Sequence, residues 1–76
     1  MNKNRRKQID GVIADLQEIQ GTVESIMNDE EEYRDNIPEN LQGSERYERA
    51  EEACNYLQEA YDGIDDVIIL LEEAKG

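Results

Sequence analysis

Residues 9–33 read IDGVIADLQEIQGTVESIMNDEEEY, and the spacing of their apolar side chains decides the fold. With Ile9 as heptad position a, the a sites are Ile9, Leu16, Val23 and Glu30, and the d sites are Val12, Ile19, Ile26 and Tyr33. Seven of these eight sites are apolar, and Ile13 and Met27 widen the stripe at position e. A 3–4 spacing held over four heptads is a helical signal that a disordered acidic tail does not produce. It predicts one amphipathic helix over residues 4–34.

The second half repeats the pattern from Tyr47. The a sites are Tyr47, Cys54, Tyr61 and Ile68, and the d sites are Ala50, Leu57, Ile64 and Leu71. Position g adds Ala53, Ala60, Val67 and Ala74. All eight a and d sites are apolar, which predicts a second helix over residues 44–75. Pro38 in the segment between them is excluded from a helix interior but suits the first turn of a short new one. A loop over 35–43 is therefore expected, with a short turn at 38–41. Gly43 can supply a left-handed stop, Ser44 can cap the second helix, and Ile37 and Leu41 can plug the end of the core. A connection this short folds the helices back on each other. The expected fold is all-α: one domain spanning residues 1–76, an antiparallel coiled-coil-like hairpin.

Charge placement agrees. Lys3, Arg5, Arg6 and Lys7 begin helix 1, and Asp65, Asp66, Glu72 and Glu73 end helix 2. Each cluster is unfavourable against its own helix dipole. An antiparallel hairpin brings the two clusters together, where they are expected to offset each other.

Twenty acids against eight bases give a net charge of −12, with one Cys, one Pro and no His, Trp or Phe. Histidine base chemistry, His-ligated zinc and a disulfide framework are excluded. No apolar run reaches the ~20 residues of a membrane span, and no leader pattern opens the chain, so neither a membrane partner nor a signal peptide is expected. A polyanion repels nucleic acid, so no direct nucleic-acid contact is expected. The lone thiol fits a reducing, cytoplasmic location.

Nothing points to catalysis. Cys54 sits on the apolar stripe beside Ala50 and Leu57, where it reads as a small core residue rather than an activated thiol. Asp62-Gly63-Ile64-Asp65-Asp66 lacks the spacing and the closing Glu of a calcium loop, and no Glu-x-x-His motif offers a di-iron site. No enzyme activity, catalytic residue, cofactor or metal is expected.

A two-helix seam is thin for a chain of this size. Gly11, Gly21 and Gly63, at helix-interior sites, each cost ~1 kcal/mol relative to Ala. The run Val67-Ile68-Ile69-Leu70-Leu71 is apolar on every side of its helix, more than one hairpin covers. Self-association through this run is expected, most simply as a homodimer forming a four-helix bundle, or else burial of that surface on a partner.

The acids are organised. Position f of helix 2 reads Glu45, Glu52, Glu59, Asp66, Glu73, and Glu51, Asp62 and Asp65 stand beside it. This ridge of one sign reads either as a solubilising face or as a binding surface for a basic protein. In the second reading the chain is a nucleic-acid mimic, a competitive inhibitor of a nuclease or another nucleic-acid-binding protein. Tyr56, at an outward position c, is a candidate partner contact.

The segment from Asn36 to Glu51, NIPENLQGSERYERAE, resembles an IPENLQ-S-RYE-AE stretch in small acidic helical proteins of phages, prophages and mobile elements of Gram-positive bacteria. The likeness covers about 16 residues. It implies a bacterial or phage cytoplasmic setting and carries over no functional residue. Small acidic proteins of that setting often inhibit host nucleases, including defence systems, which favours an inhibitor by analogy. The alternative expectation is a structural or assembly component acting through its apolar dimer surface.

Overall fold

The computed structural model describes residues 1–41 and 43–76; Gln42, in the expected loop, lies outside the described residues. The chain forms helix α1 (Lys3–Asp35), a 3-10 turn (Glu39–Leu41) and helix α2 (Glu45–Lys75). The helices pack antiparallel along a single seam. The observed bounds differ from the sequence expectation by one residue at three of the four helix ends.

Local chemistry sets those ends. The Asn2 side chain accepts from the Arg5 backbone N–H at 2.8 Å and starts α1. At the other end the Asn36 N–H donates to the Glu32 carbonyl at 3.0 Å. Pro38 then ends helical propagation, and its carbonyl accepts from the Leu41 N–H at 2.8 Å, closing the 3-10 turn. Ser44 accepts from the Tyr47 N–H at 3.4 Å and starts α2. Two expectations for the connection need correction. Gly43 does not adopt a positive φ, because the 3-10 turn and the Ser44 cap already reverse the chain. Ile37 plugs the end of the core, but Leu41, lifted away by the turn, stays exposed.

The hairpin is a rod, with Cα extents of 59 × 15 × 12 Å and a radius of gyration of 17.4 Å. A compact 76-residue domain would have a radius near 11 Å. Helix α2 buries the a/d stripe read from the sequence: Ala50, Cys54 and Ile68 are buried, and Tyr47, Leu57, Tyr61, Ile64 and Leu71 are half-buried. Helix α1 departs from its expected register. It turns positions a and e inward: Ile13, Gln20 and Met27 are buried and Leu16 and Val23 half-buried. The d positions Val12, Ile19 and Ile26 remain 47%, 52% and 50% exposed. The seam of α1 is thus the less apolar of its two edges, since e includes Gln20 and Arg34.

A specific polar contact accompanies this rotation. The Gln20 side-chain amide donates to the Asp65 carboxylate at 2.8 Å and to the Tyr61 carbonyl at 3.2 Å. Buried amides are retained where they are satisfied, and this one ties the middle of α1 to the middle of α2. Near the termini Lys75 donates to Asp10 at 2.7 Å. The expected pairing of the basic start of α1 with the acids ending α2 does not form. Lys3, Arg5, Arg6 and Lys7 make no ion pair among the described residues, and Lys75 serves as the cross-helix cation instead.

Candidate interaction surfaces

Rotation of α1 gives the rod two unlike broad faces. On one, the d stripe Val12, Ile19, Ile26, Tyr33 runs beside the α2 stripe Ala53, Ala60, Val67, Ala74. The Arg46 guanidinium fixes this pairing of sides. It donates to the Tyr33 hydroxyl at 2.6 Å, with its carbon 5.2 Å from the ring centroid. From Ala53 to Ala74, neither position g nor the adjacent position c of α2 (Tyr56, Gly63, Leu70) carries a charge. On the opposite face, Asp10, Gln17, Glu24 and Glu31 of α1 run beside Glu51, Gln58, Asp65 and Glu72 of α2. The Gln20–Asp65 and Lys75–Asp10 contacts lie on that side.

The acidic ridge continues from this second face around the back of α2. Glu45, Glu51, Glu52, Glu59, Asp62, Asp65, Asp66 and Glu73 are all exposed. Glu45 is ion-paired to Arg49 one turn on, and Asp62 accepts from the Gln58 amide at 3.1 Å. Glu52, Glu59, Asp66 and Glu73 make no ion pair among the described residues. With Glu48 and Glu72, ten carboxylates stand on the three outward positions between Glu45 and Glu73. At 1.5 Å per residue the ridge is ~42 Å long, one carboxylate per ~4 Å. A single nucleic-acid strand carries one phosphate per ~3.4 Å.

The apolar run of α2 divides among surroundings. Ile68 is buried in the seam and Leu71 is half-buried, whereas Val67, Ile69 and Leu70 are exposed. Val67 and Leu70 lie on the apolar side, and Ile69 points to the acidic flank. Tyr56 is 63% exposed and shares its position c with Leu70, so it lies with the apolar face rather than on the ridge. Cys54 is buried, and loss of solvation pushes its thiol pKa up, with Glu31, Glu30 and Asp35 adding to the rise against the opposing effect of Arg34. Among the described residues no three Cys, Asp or Glu side chains converge as metal ligands.

Sequence reasoning missed the exposed d stripe of α1 as a surface. The signal was present, because d and e were both apolar and a two-helix seam takes only one of them. It also missed a shallow groove of about 530 Å³ at the loop end, lined by Glu30, Tyr33, Glu45, Arg46, Arg49 and Ala50. Among the described residues no helix is long and apolar enough to cross a membrane. No family model, curated protein or solved structure matches the chain.

Proposed function

We propose that this protein is a non-catalytic interaction module whose acidic side binds a basic protein surface. Its most concrete form is a nucleic-acid mimic that competitively inhibits a nuclease or other nucleic-acid-binding protein of a bacterial host. The observation that carries this reading is the α2 ridge: ten carboxylates in ~42 Å approach the charge spacing of one strand, on a rigid rod. A groove that holds a phosphate backbone is lined with Lys and Arg, and a matching line of fixed carboxylates is drawn to it by the same field. The resemblance of residues 36–51 supports a setting in bacterial or phage cytoplasm and, by analogy, an anti-defence role as the particular form of this reading. The apolar face is closed by a second copy, giving a homodimeric four-helix bundle with both ridges outside.

The test is competition. The immobilised chain should capture nucleic-acid-binding proteins from a Gram-positive lysate at low salt, release them at high salt, and displace DNA from them. Reversing three ridge charges together (Glu52→Lys, Glu59→Lys and Asp66→Lys) should abolish capture while helicity by circular dichroism is kept. Unchanged affinity in that variant sinks the mimic. Salt-insensitive capture of structural proteins, lost on Leu70→Lys, would support the second reading, an assembly component working through the exposed apolar stripes.

A further inference from the structure

The structure assigns the apolar face to a second copy of this chain in one arrangement: an antiparallel dimer with loops at opposite ends and its two-fold axis at Ile19 and Gly63. The inference rests on the self-association proposed above and adds its geometry.

Need comes first. The hairpin exposes 5686 Å² at a mass of 8.8 kDa. A compact monomer of that mass exposes about 4,800 Å². The surplus, about 900 Å², is close to the roughly 800 Å² that each partner buries in a standard interface. It coincides with a face on which the more apolar edge of α1 was left outside the seam.

Symmetry comes second. A two-fold interface places the same patch on both sides, so its residues must map onto themselves. The α1 positions Arg5, Val12, Ile19, Ile26 and Tyr33 are evenly spaced about Ile19. Antiparallel contact of α1 with its copy therefore sets Ile19 on Ile19, Val12 on Ile26 and Arg5 on Tyr33. The α2 stripe Ala53, Ala60, Val67, Ala74 is evenly spaced about the Gly63–Ile64 bond. The Gln20 contacts to Tyr61 and Asp65 put that point directly across the hairpin from residue 20. One axis thus serves both stripes to within about one residue, a rise of ~1.5 Å. Alanines at g, and Gly63 with open space where a Cβ would sit, let the two α2 helices approach closely.

Charge chooses between the two possible two-folds. Residues 3–7 hold four cations and no acid, and residues 29–39 hold six acids and one cation. With loops at the same end, α1 would lie on α2 of the second copy, and both basic segments would crowd one end of the bundle and both acidic segments the other. With loops at opposite ends, the Lys3–Lys7 segment, which makes no ion pair among the described residues, lies level with Glu31–Asp35 of the second copy. Arg5 then reaches the mouth of the groove lined by Glu30, Tyr33, Glu45, Arg46, Arg49 and Ala50, on the side of Glu30, since Glu45 is already paired with Arg49. The ion partners that the basic start of α1 lacks within its own hairpin are supplied by the other chain.

The experiment is sedimentation equilibrium combined with thiol cross-linking. The wild-type chain should dimerise, and its buried Cys54 should give no covalent dimer with a short bis-maleimide. Ile19→Cys should cross-link to itself, the double variant Val12→Cys with Ile26→Cys should do the same, and Ser25→Cys, on the outer side of α1, should not. Reversing Arg5 to Glu should weaken the dimer severalfold, as expected for a surface pair made twice, and Glu30→Lys in the same chain should restore it. A chain monomeric at all concentrations overturns self-association itself. A dimer in which neither the Ile19 nor the Val12/Ile26 variant cross-links overturns only the arrangement.

Discussion

The two long faces of the hairpin share one backbone and differ in almost everything else. The face of Val12, Ile19 and Ile26 beside Ala53, Ala60 and Val67 has no charge along most of its length. The face of Glu24 and Glu31 beside Glu51 and Asp65 is nearly all acid. Each is what the other cannot be: one is suited to being covered, the other to staying in water and meeting cations. A chain of charge −12 tolerates self-association only if its acids are kept off the contact, and the rotation of α1 does this.

The contrast is easiest to break at Ile13 and Ile19, two isoleucines on the same helix with opposite surroundings. Ile13→Ala should cost about 2–4 kcal/mol in urea unfolding, because it empties the seam. Ile19→Ala should cost under about 1 kcal/mol at submicromolar concentration, and more as concentration rises and dimers form. Equal losses under dilute conditions would mean that α1 is rotated towards its d edge. A smaller effect is expected at Gln20. Gln20→Ala should lose about 1–2 kcal/mol, by removing packing and the bond to Asp65, and the amide exchange of mid-α1 should speed up. A neutral result would leave the rotation of α1 without its polar tie.

The acid side can be sharpened at the glycines. Gly11 and Gly21 lie away from the apolar face, and nothing stands within 4 Å of a Cβ at either. Gly11→Ala and Gly21→Ala should each stabilise by up to about 1 kcal/mol in thermal unfolding, since only helix propensity changes. The smallest effect is at Cys54. Its raised pKa means the fold favours the neutral thiol, so this contribution is full below the unfolded thiol pKa and fades as pH climbs through the higher folded value. Stability should therefore fall slightly more at alkaline pH in the wild type than in Cys54→Ala. A Cys54 that reacts with a thiol reagent as fast folded as unfolded would contradict its burial.

The helices, their antiparallel pairing and most of the connection were legible in the sequence. Heptad spacing, Pro38 and Ser44 are local signals, and local geometry answers to them. The basic arm misled: the dipole argument paired Lys3–Lys7 with the end of α2, but surface pairs are too weak to dictate side-chain positions. Residues 12 and 13, 19 and 20, and 26 and 27 are adjacent on the helix, and hydrophobicity alone could not say which of each pair faces α2. By that measure the d edge should have won.

What the chain by itself determined is a pair of long amphipathic helices with the acids of α2 in register every seven residues, because periodicity is a property of the helix and needs no partner. Only the tertiary structure decided which edge of the broad α1 stripe became core. That choice depends on how the 3-10 turn delivers α2, on Ile37 filling the loop end and on Gln20 finding Asp65 and Tyr61 across the seam. Those contacts lie as far as 45 residues apart in the chain, and no local pattern encodes them.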